Sequence, residues 1–313
     1  TRFRSNQGKL EKSQPLPSYN LFVALEQEAL ASQEQKSYWQ MRLKNADIVW
    51  WTGSEKSPSV QVICDIPEST GLQLINLANH LGVQEKSLWA AVYLSLLNLL
   101  NGSDDVPGPV ITQGRPEIID GEKIIGVFLN ALPLRVEQGG KSWRQFVQDV
   151  DQELRHQYAY RYFPLAEMQR FTGLDFSAAL FNYTNWHVYF QNENDGEANP
   201  GNVEAPLLDG VLVPEKVGGW AETNYALLFD VYKNEKSKSF WMKVDVDQDV
   251  FDEAARARIQ HYVNNIIQHL TGNIDGLINR NELLAVSERH SLLKQFNTTD
   301  LAYPEDTHIT ALF

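Results

Sequence analysis

The sequence predicts an α/β domain in which helices are layered on a mixed β-sheet. Three observations carry this. β-prone runs and segments of helical period interleave along the chain instead of segregating into halves. Tyr225–Tyr232 and Ser239–Val246 flank Asn234-Glu235-Lys236-Ser237, a hairpin signal, so this strand pair is antiparallel. Between Leu88 and Leu100 the chain is apolar on almost every side of a helix, and such a helix must be enclosed by other elements.

Taken in order, residues 1–18 are polar, hold Pro15 and Pro17, and read as an irregular approach segment. Leu21–Ala46 reads as one helix, with Phe22, Leu25 and Ala29 on a face that Trp39 and Leu43 extend. Ile48–Pro58 is a loop carrying Trp50 and Trp51, and Gln61–Ile66 is a short strand. Thr70–Leu81 turns Leu74, Leu77, Ala78 and Leu81 inward and stops at Gly82. Ser87 reads as the cap of the apolar helix, which closes at Gly102. Val110–Thr112 and Leu132–Val136 are strands, and Ser142 opens a helix with Phe146, Val150, Leu154 and Tyr158 on one side. Ala178–Phe190 is a long strand; Phe181, Tyr183, Asn185, His187 and Tyr189 share one face. Gln191–Asn202 is an acidic surface loop. In the second hairpin strand Phe240, Met242, Val244 and Val246 form a core face. Trp241, Lys243 and Asp245 form a wet one, with Asp245 and Asp247 as a solvated edge. Asp249 precedes a helix to Leu270, and Gly272 ends it.

Composition narrows the function. A net charge of −13 argues against nucleic acid, whose binding rests on phosphate neutralisation by Lys and Arg. The single cysteine, Cys64, lies in an apparent strand and reads as inert core. There is no CxxC or HExxH, so a metal has no support, and Gly218-Gly219 lacks the strand–turn–helix frame of a dinucleotide site. No apolar run is long enough for a membrane span, and the first residues lack a signal-type core, which fits a cytoplasmic enzyme or module.

The most informative stretch is Gly114–Arg135, GRPEIIDGEKIIGVFLNALPLR. Gly-Arg-Pro ends a strand abruptly, and Gly126, Phe128, Asn130, Pro133 and Arg135 crowd one short apolar segment. An arginine there needs a partner, because it cannot shed its charge by losing a proton. A strand-end arginine that snorkels to water satisfies the same demand. The paired spacing, GRP followed by IGxFxNxLPxR, resembles the condensation domain of nonribosomal peptide synthetases. Phe163-Pro164-Leu165-Ala166-Glu167 is similar to a later, degenerate motif of that family, and Phe181-Asn182-Tyr183 to the one after it. Phe296-Asn297-Thr298-Thr299, Tyr303-Pro304 and His308 resemble the entry into an adenylation domain.

The resemblance implies the C-terminal lobe of a chloramphenicol-acetyltransferase-like fold. It divides the chain into an approach segment and helix at 1–46, the lobe at 47–274, and a linker with the start of an adenylation domain at 275–313. The family's HHxxxDG motif has no counterpart among His80, His156, His187, His261, His269, His290 and His308, so the resemblance places it on an N-terminal lobe upstream. The implied reaction is attack of an amine on a thioester, forming an amide. The implied partners are upstream and downstream carrier proteins with their 4′-phosphopantetheine arms, the missing lobe and a downstream adenylation domain. By carry-over, Asn130 and Arg135 support the active site, with Arg135 pairing an aspartate of the absent lobe. Gly126, Phe128, Asn185, His187, Glu222 and Asn224 line the tunnel. For Asn130 a turn residue satisfying backbone groups stays open, as do a sheet histidine for His187 and a strand-start turn for Glu222 and Asn224. Two other functions are weighed: a noncatalytic docking lobe ahead of an adenylation domain, and a free-standing acyltransferase using coenzyme A, against which the adenylation-like segment at Tyr303-Pro304 and His308 argues.

Overall fold

A computed structural model describes residues 17–47, 49–51, 58–64, 66–185, 224–234 and 238–297. In chain order these form α1 (Asn20–Ala31), α2 (Gln33–Leu43), β1 (Ser59–Cys64), α3 (Glu68–Leu81), α4 (Glu85–Asn101), β2 (Gly108–Gln113) and β3 (Leu129–Leu134). Then follow α5 (Trp143–Gln157), α6 (Leu165–Thr172), β4 (Ala179–Asn185), β5 (Leu227–Asn234), β6 (Ser239–Asp247), α7 (Glu253–Gly272), α8 (Arg280–Leu283) and α9 (Val286–His290). Among the described residues the strands form one mixed sheet in the order β1-β6-β5-β4-β2-β3. β2, β4 and β5 run parallel, and the other pairings, including the β5–β6 hairpin, are antiparallel.

Side-chain alternation builds the core on one face of this sheet. Val62 and Cys64 of β1, Met242, Val244 and Val246 of β6, Leu227, Phe229 and Val231 of β5, Phe181 of β4 and Val110 of β2 all join it. α4 supplies its centre: every side chain from Ser87 to Asn98 is buried, as its uninterrupted apolar surface demands. α5 and α7 pack against α4, and α3 bridges α4, α7 and β6. A smaller cluster gathers Ala29, Tyr38, Trp39 and Leu43 of α1 and α2, Leu132 of the edge strand β3, and Phe163, Met168 and Phe176 around α6. No described helix is long and apolar enough to cross a membrane.

The terminators lie where expected. Gly82 and Gly102 are left-handed, at φ +68° and +67°, and close α3 and α4. Ser142 and Gln145 form a reciprocal capping box at the start of α5. Three expectations need correction. The helix read over 21–46 breaks at Ser32, which adopts an extended backbone while its side chain accepts the Gln35 N–H and caps α2. Ser87 does not cap α4, which starts after Gln84; its hydroxyl donates to Asp151 Oδ1 at 2.6 Å. Asp245 and Asp247 are not a solvated edge, being 9% and 4% exposed. The segment after 274 stays docked: the Ile278 N–H donates to Lys141 O at 2.9 Å, and Leu283 is buried in the main core.

Asp151 ties α5 to the start of α4. Burial pushes its carboxyl up, and hydrogen bonds from Arg155, Ser87 and the Gln84 N–H outweigh this and hold it below the usual range. A depressed folded-state pKa contributes stability that is complete above the unfolded value and is lost as pH falls through the folded one. Asp151→Ala is therefore expected to lower stability by about 1–3 kcal/mol at neutral pH, because Ser87 and the Gln84 N–H lose their acceptor. The deficit narrows in strong acid; urea denaturation at pH 7 and below pH 4 measures both parts.

Candidate functional site

The Gly114–Arg135 segment folds as a loop followed by the edge strand β3. Arg115 orders the loop: Nη1 donates to Gly121 O at 3.1 Å and Ile124 O at 2.7 Å, and the guanidinium lies 4.2 Å from the centre of the Phe128 ring. Gly114 admits close backbone approach; its N–H donates to Phe128 O at 2.6 Å, and a Cβ there would meet the Phe22 ring at 2.9 Å. Phe128, expected at a tunnel wall, is 2% exposed, within an aromatic cluster with Tyr19 at 5.1 Å and Phe22 at 5.3 Å. Its ring packs among these aromatic side chains. Gly126 is exposed on one side and covered by the Tyr19 ring on the other.

Asn130 closes the sheet edge. Its Nδ2 donates to Arg161 O at 2.9 Å and Phe163 O at 2.8 Å, while Oδ1 accepts the Ala131 N–H at 2.9 Å. The amide thus bridges β3 to the connector between α5 and α6, taking up two connector carbonyls and one N–H of the edge strand. Both Nδ2 donors are used in these contacts.

Arg135 sits at the other end of β3. Nε and Nη2 hold both oxygens of Asp105, at 2.9 and 2.5 Å, and the remaining N–H groups donate to Arg42 O, Lys44 O and Asn45 O at 2.7–3.1 Å. All five guanidinium donors are engaged. The counter-charge expected on an absent lobe is therefore supplied within this chain, by Asp105. Arg42 completes a reciprocal seam: its Nη2 donates to Arg135 O at 2.8 Å and pairs with Glu153 at the same distance. Burial pushes Glu153 above the usual carboxylate range, with Arg42 and the Tyr38 hydroxyl pulling the other way. Burial, then the Glu153 charge, pushes the Tyr38 hydroxyl up as well. The raised Tyr38 keeps its proton, which it donates to Glu153 at 3.1 Å, linking α2 to α5.

The structure does not gather the expected residues into one site. Asn130 pairs in register with Thr112, toward the carboxyl end of β2, while Leu134 pairs with Gly108 at its amino end. At about 3.3 Å per residue, Asn130 and Arg135 are about 16 Å apart along the strand. Asn185 ends β4, and Asn224 precedes the start of the parallel strand β5, so these two also lie at opposite ends of the sheet. His187 and Glu222 lie outside the described residues.

Two features were missed. Arg161 is held beneath an exposed carboxylate: Nη2 meets Glu117 at 3.2 Å and the Tyr162 hydroxyl at 3.1 Å, with the Tyr158 and Tyr162 rings at 4.0 and 4.5 Å. Arg161 next to the degenerate motif was the available signal. The second is a polar row crossing the sheet on the face opposite the main core. Asn182 donates to Asp230 at 3.0 Å, Lys243 lies 3.6 Å from Asp230 and 2.7 Å from Asp245, and Gln61 donates to Asp245 at 3.1 Å. Alternation marks only Lys243 and Asp245 of this row, as part of a wet face. Among the described residues no group of His, Cys, Asp and Glu is arranged to hold a metal ion.

Comparison with known proteins accounts for this scaffold. A family model described as the condensation domain matches residues 4–293. The chain is 25% identical over 288 residues to tyrocidine synthase 3 of Brevibacillus parabrevis, covering 89% of this chain and 4% of that protein. It is 22% identical over 318 aligned residues to bacitracin synthase 3 of Bacillus licheniformis, covering 97% and 5%. Among solved structures, the condensation domain of the monacolin K polyketide synthase MokA superposes with a TM-score of 0.63 at 14% identity, over 86% of this chain and 64% of that one. The X-domain from teicoplanin biosynthesis gives 0.65 at 16% identity, over 86% and 63%. The chain thus spans a small part of its curated relatives and under two thirds of these solved chains. The mixed sheet with its helices is the fold that those structures share, and the family match runs through the GRP loop, β3 and α7. This chain belongs to the condensation-domain family.

Proposed function

We propose that this chain is the second lobe of a condensation domain in a nonribosomal peptide synthetase, working in the cytoplasm. In the reaction an amine of an aminoacyl acceptor attacks the carbonyl of a thioester-bound acyl or aminoacyl donor. The C–N bond forms, the C–S bond breaks, the amine loses a proton and the donor arm leaves as a thiol. Upstream and downstream carrier proteins present both substrates on 4′-phosphopantetheine arms; an N-terminal lobe supplies the HHxxxDG histidine, and an adenylation domain follows downstream. The observation that carries this reading is the family match over residues 4–293. Asn130 and Arg135 serve it by holding the lobe's shape, since their hydrogen bonds are taken within the chain.

That same saturation favours a second reading, a noncatalytic docking lobe ahead of an adenylation domain. Loading both carriers and following amide product by mass spectrometry separates the two. Residues 1–313 alone are expected to give no amide, and the native synthetase is expected to give it. Product from 1–313 alone overturns the need for another lobe. A native synthetase that adenylates and loads its carriers but forms no amide supports the docking lobe.

A further inference from the structure

The first turn of α4 meets the carboxyl ends of the parallel strands. Among the described residues β2 and β4 pair only at Val110 and Phe181, although β2 continues to Gln113 and β4 to Asn185, so the ladder forks there. The carboxyl ends of parallel strands are where open α/β sheets admit ligands. Lys86, the second residue of α4, reaches this fork: its Nζ donates at 2.9 Å to Ile111 O, the first carbonyl beyond the pairing. Its surroundings oppose a cation on three counts. The side chain is half-buried, it sits at the positive end of the helix dipole, and no described carboxylate pairs with it. The nearby carboxylates are committed elsewhere. Glu85 holds Lys233 Nζ at 2.8 Å and accepts the Tyr183 hydroxyl at 3.1 Å, while Asp151 accepts from Ser87, Arg155 and the Gln84 N–H. Burial pushes the Lys86 amine down to about 8. About a tenth of it is then uncharged at pH 7, against less than about a thousandth for an ordinary lysine.

We infer that Lys86 is an acyl acceptor, taking an acyl group from a 4′-phosphopantetheine thioester onto its own side chain. A desolvated lysine without a counter-charge is the arrangement that makes an amine a nucleophile. The uncharged Nζ attacks the thioester carbonyl, the C–N bond forms and the C–S bond breaks. The proton lost by the amine goes to the departing sulfur, leaving an Nε-acyl lysine and a free phosphopantetheine thiol. The product suits the position better than the ammonium does. Its amide N–H keeps one donor, enough for the Ile111 carbonyl, and the half-buried charge is gone. Lys141, Lys233 and Lys243 differ, each being held by a carboxylate at 2.6–2.8 Å. The choice of electrophile rests on the condensation reading, which brings phosphopantetheine thioesters to this chain. Coenzyme A carries the same arm, so carrier protein and coenzyme A are two sources of one chemistry.

The test incubates residues 1–313 at neutral pH with acetyl-coenzyme A, or with the upstream carrier protein bearing the same acetyl thioester. Acetyl-lysine is then quantified position by position by peptide mass spectrometry, with the exposed Lys36 and Lys44 as references. Lys86 is expected to be acetylated at least about tenfold faster than either. Equal rates overturn the inference. Transfer from coenzyme A alone makes the free thioester the source, and transfer from the carrier alone makes a docked arm the source; both support the site, and transfer from neither overturns it. In urea the preference is expected to vanish, because it depends on the fold. A preference that survives unfolding belongs to the local sequence and overturns the cleft. Lys86→Arg keeps a donor for Ile111 O and is expected to hold its melting temperature and lose only the fast acetylation. Fast acetylation that persists in this variant shows that another residue is the acceptor and overturns the inference. Amide formation by the native synthetase is followed in parallel. Its absence counts against the condensation reading whatever Lys86 does, and its presence with slow Lys86 acetylation removes only the acyl acceptor.

Discussion

Arg135→Ala is expected to destabilise residues 1–313 on their own, by about 3 kcal/mol or more, read as a lower urea midpoint. The side chain is 16% exposed, and its removal orphans Asp105 together with the carbonyls of Arg42, Lys44 and Asn45. Those three carbonyls end α2, so the loss reaches beyond one ion pair to the attachment of α1 and α2, whose inner face buries Trp39 and Leu43. Arg135→Lys is expected to fall between. An ammonium can still meet Asp105, but it has three donors on a single atom and cannot span the fan of acceptors that a planar fork reaches. An arginine whose role was confined to chemistry would leave the stability of the isolated chain unchanged. A melting temperature equal to wild type would refute the clamp.

The local features of this fold were open to a reader of the sequence. Gly82 and Gly102 end helices because a left-handed residue must follow the last turn, and Ser142 with Gln145 spells a capping box within four residues. The same spelling, Ser32 with Gln35, was present inside the long helix and was overridden by the continuing apolar stripe, so one helix was read where there are two. What the sequence could not supply was the partner of each buried polar group. Asp105 is 30 residues before Arg135 and Asp151 is 64 after Ser87, and nothing in local spacing links either pair. The resemblance drew attention to Asn130 and Arg135 as one motif. Strand geometry then separated them, because the 3.3 Å rise of an extended chain carries two residues apart fastest when they share a strand.

Lys243→Met is expected to be as damaging as the loss of Arg135, at about 3–5 kcal/mol, for a reason that pH can expose. Lys243 is the cation between Asp230 and Asp245 in the row crossing the sheet, with all three side chains no more than 14% exposed. Burial pushes the Asp230 carboxyl above the usual range; Asn182 and Lys243 oppose the rise, and the neighbouring Asp245 charge adds to it. A carboxyl whose folded-state pKa is raised stabilises the fold below its unfolded value, and that contribution is lost as pH rises through the folded one. Removing the lysine raises the carboxyl further. The deficit of the methionine variant is therefore expected to be largest at neutral pH and to shrink steadily as Asp230 takes up a proton in mild acid. Asp230→Asn is the complementary case. It removes the carboxylate that burial opposes, leaves Lys243 paired with Asp245, and keeps an acceptor for Asn182, so its cost at pH 7 is expected to stay below about 1 kcal/mol. Urea midpoints for the two variants between pH 4 and 8 settle the matter: a methionine deficit independent of pH would mean that lost packing, not an uncompensated buried charge, governs this row.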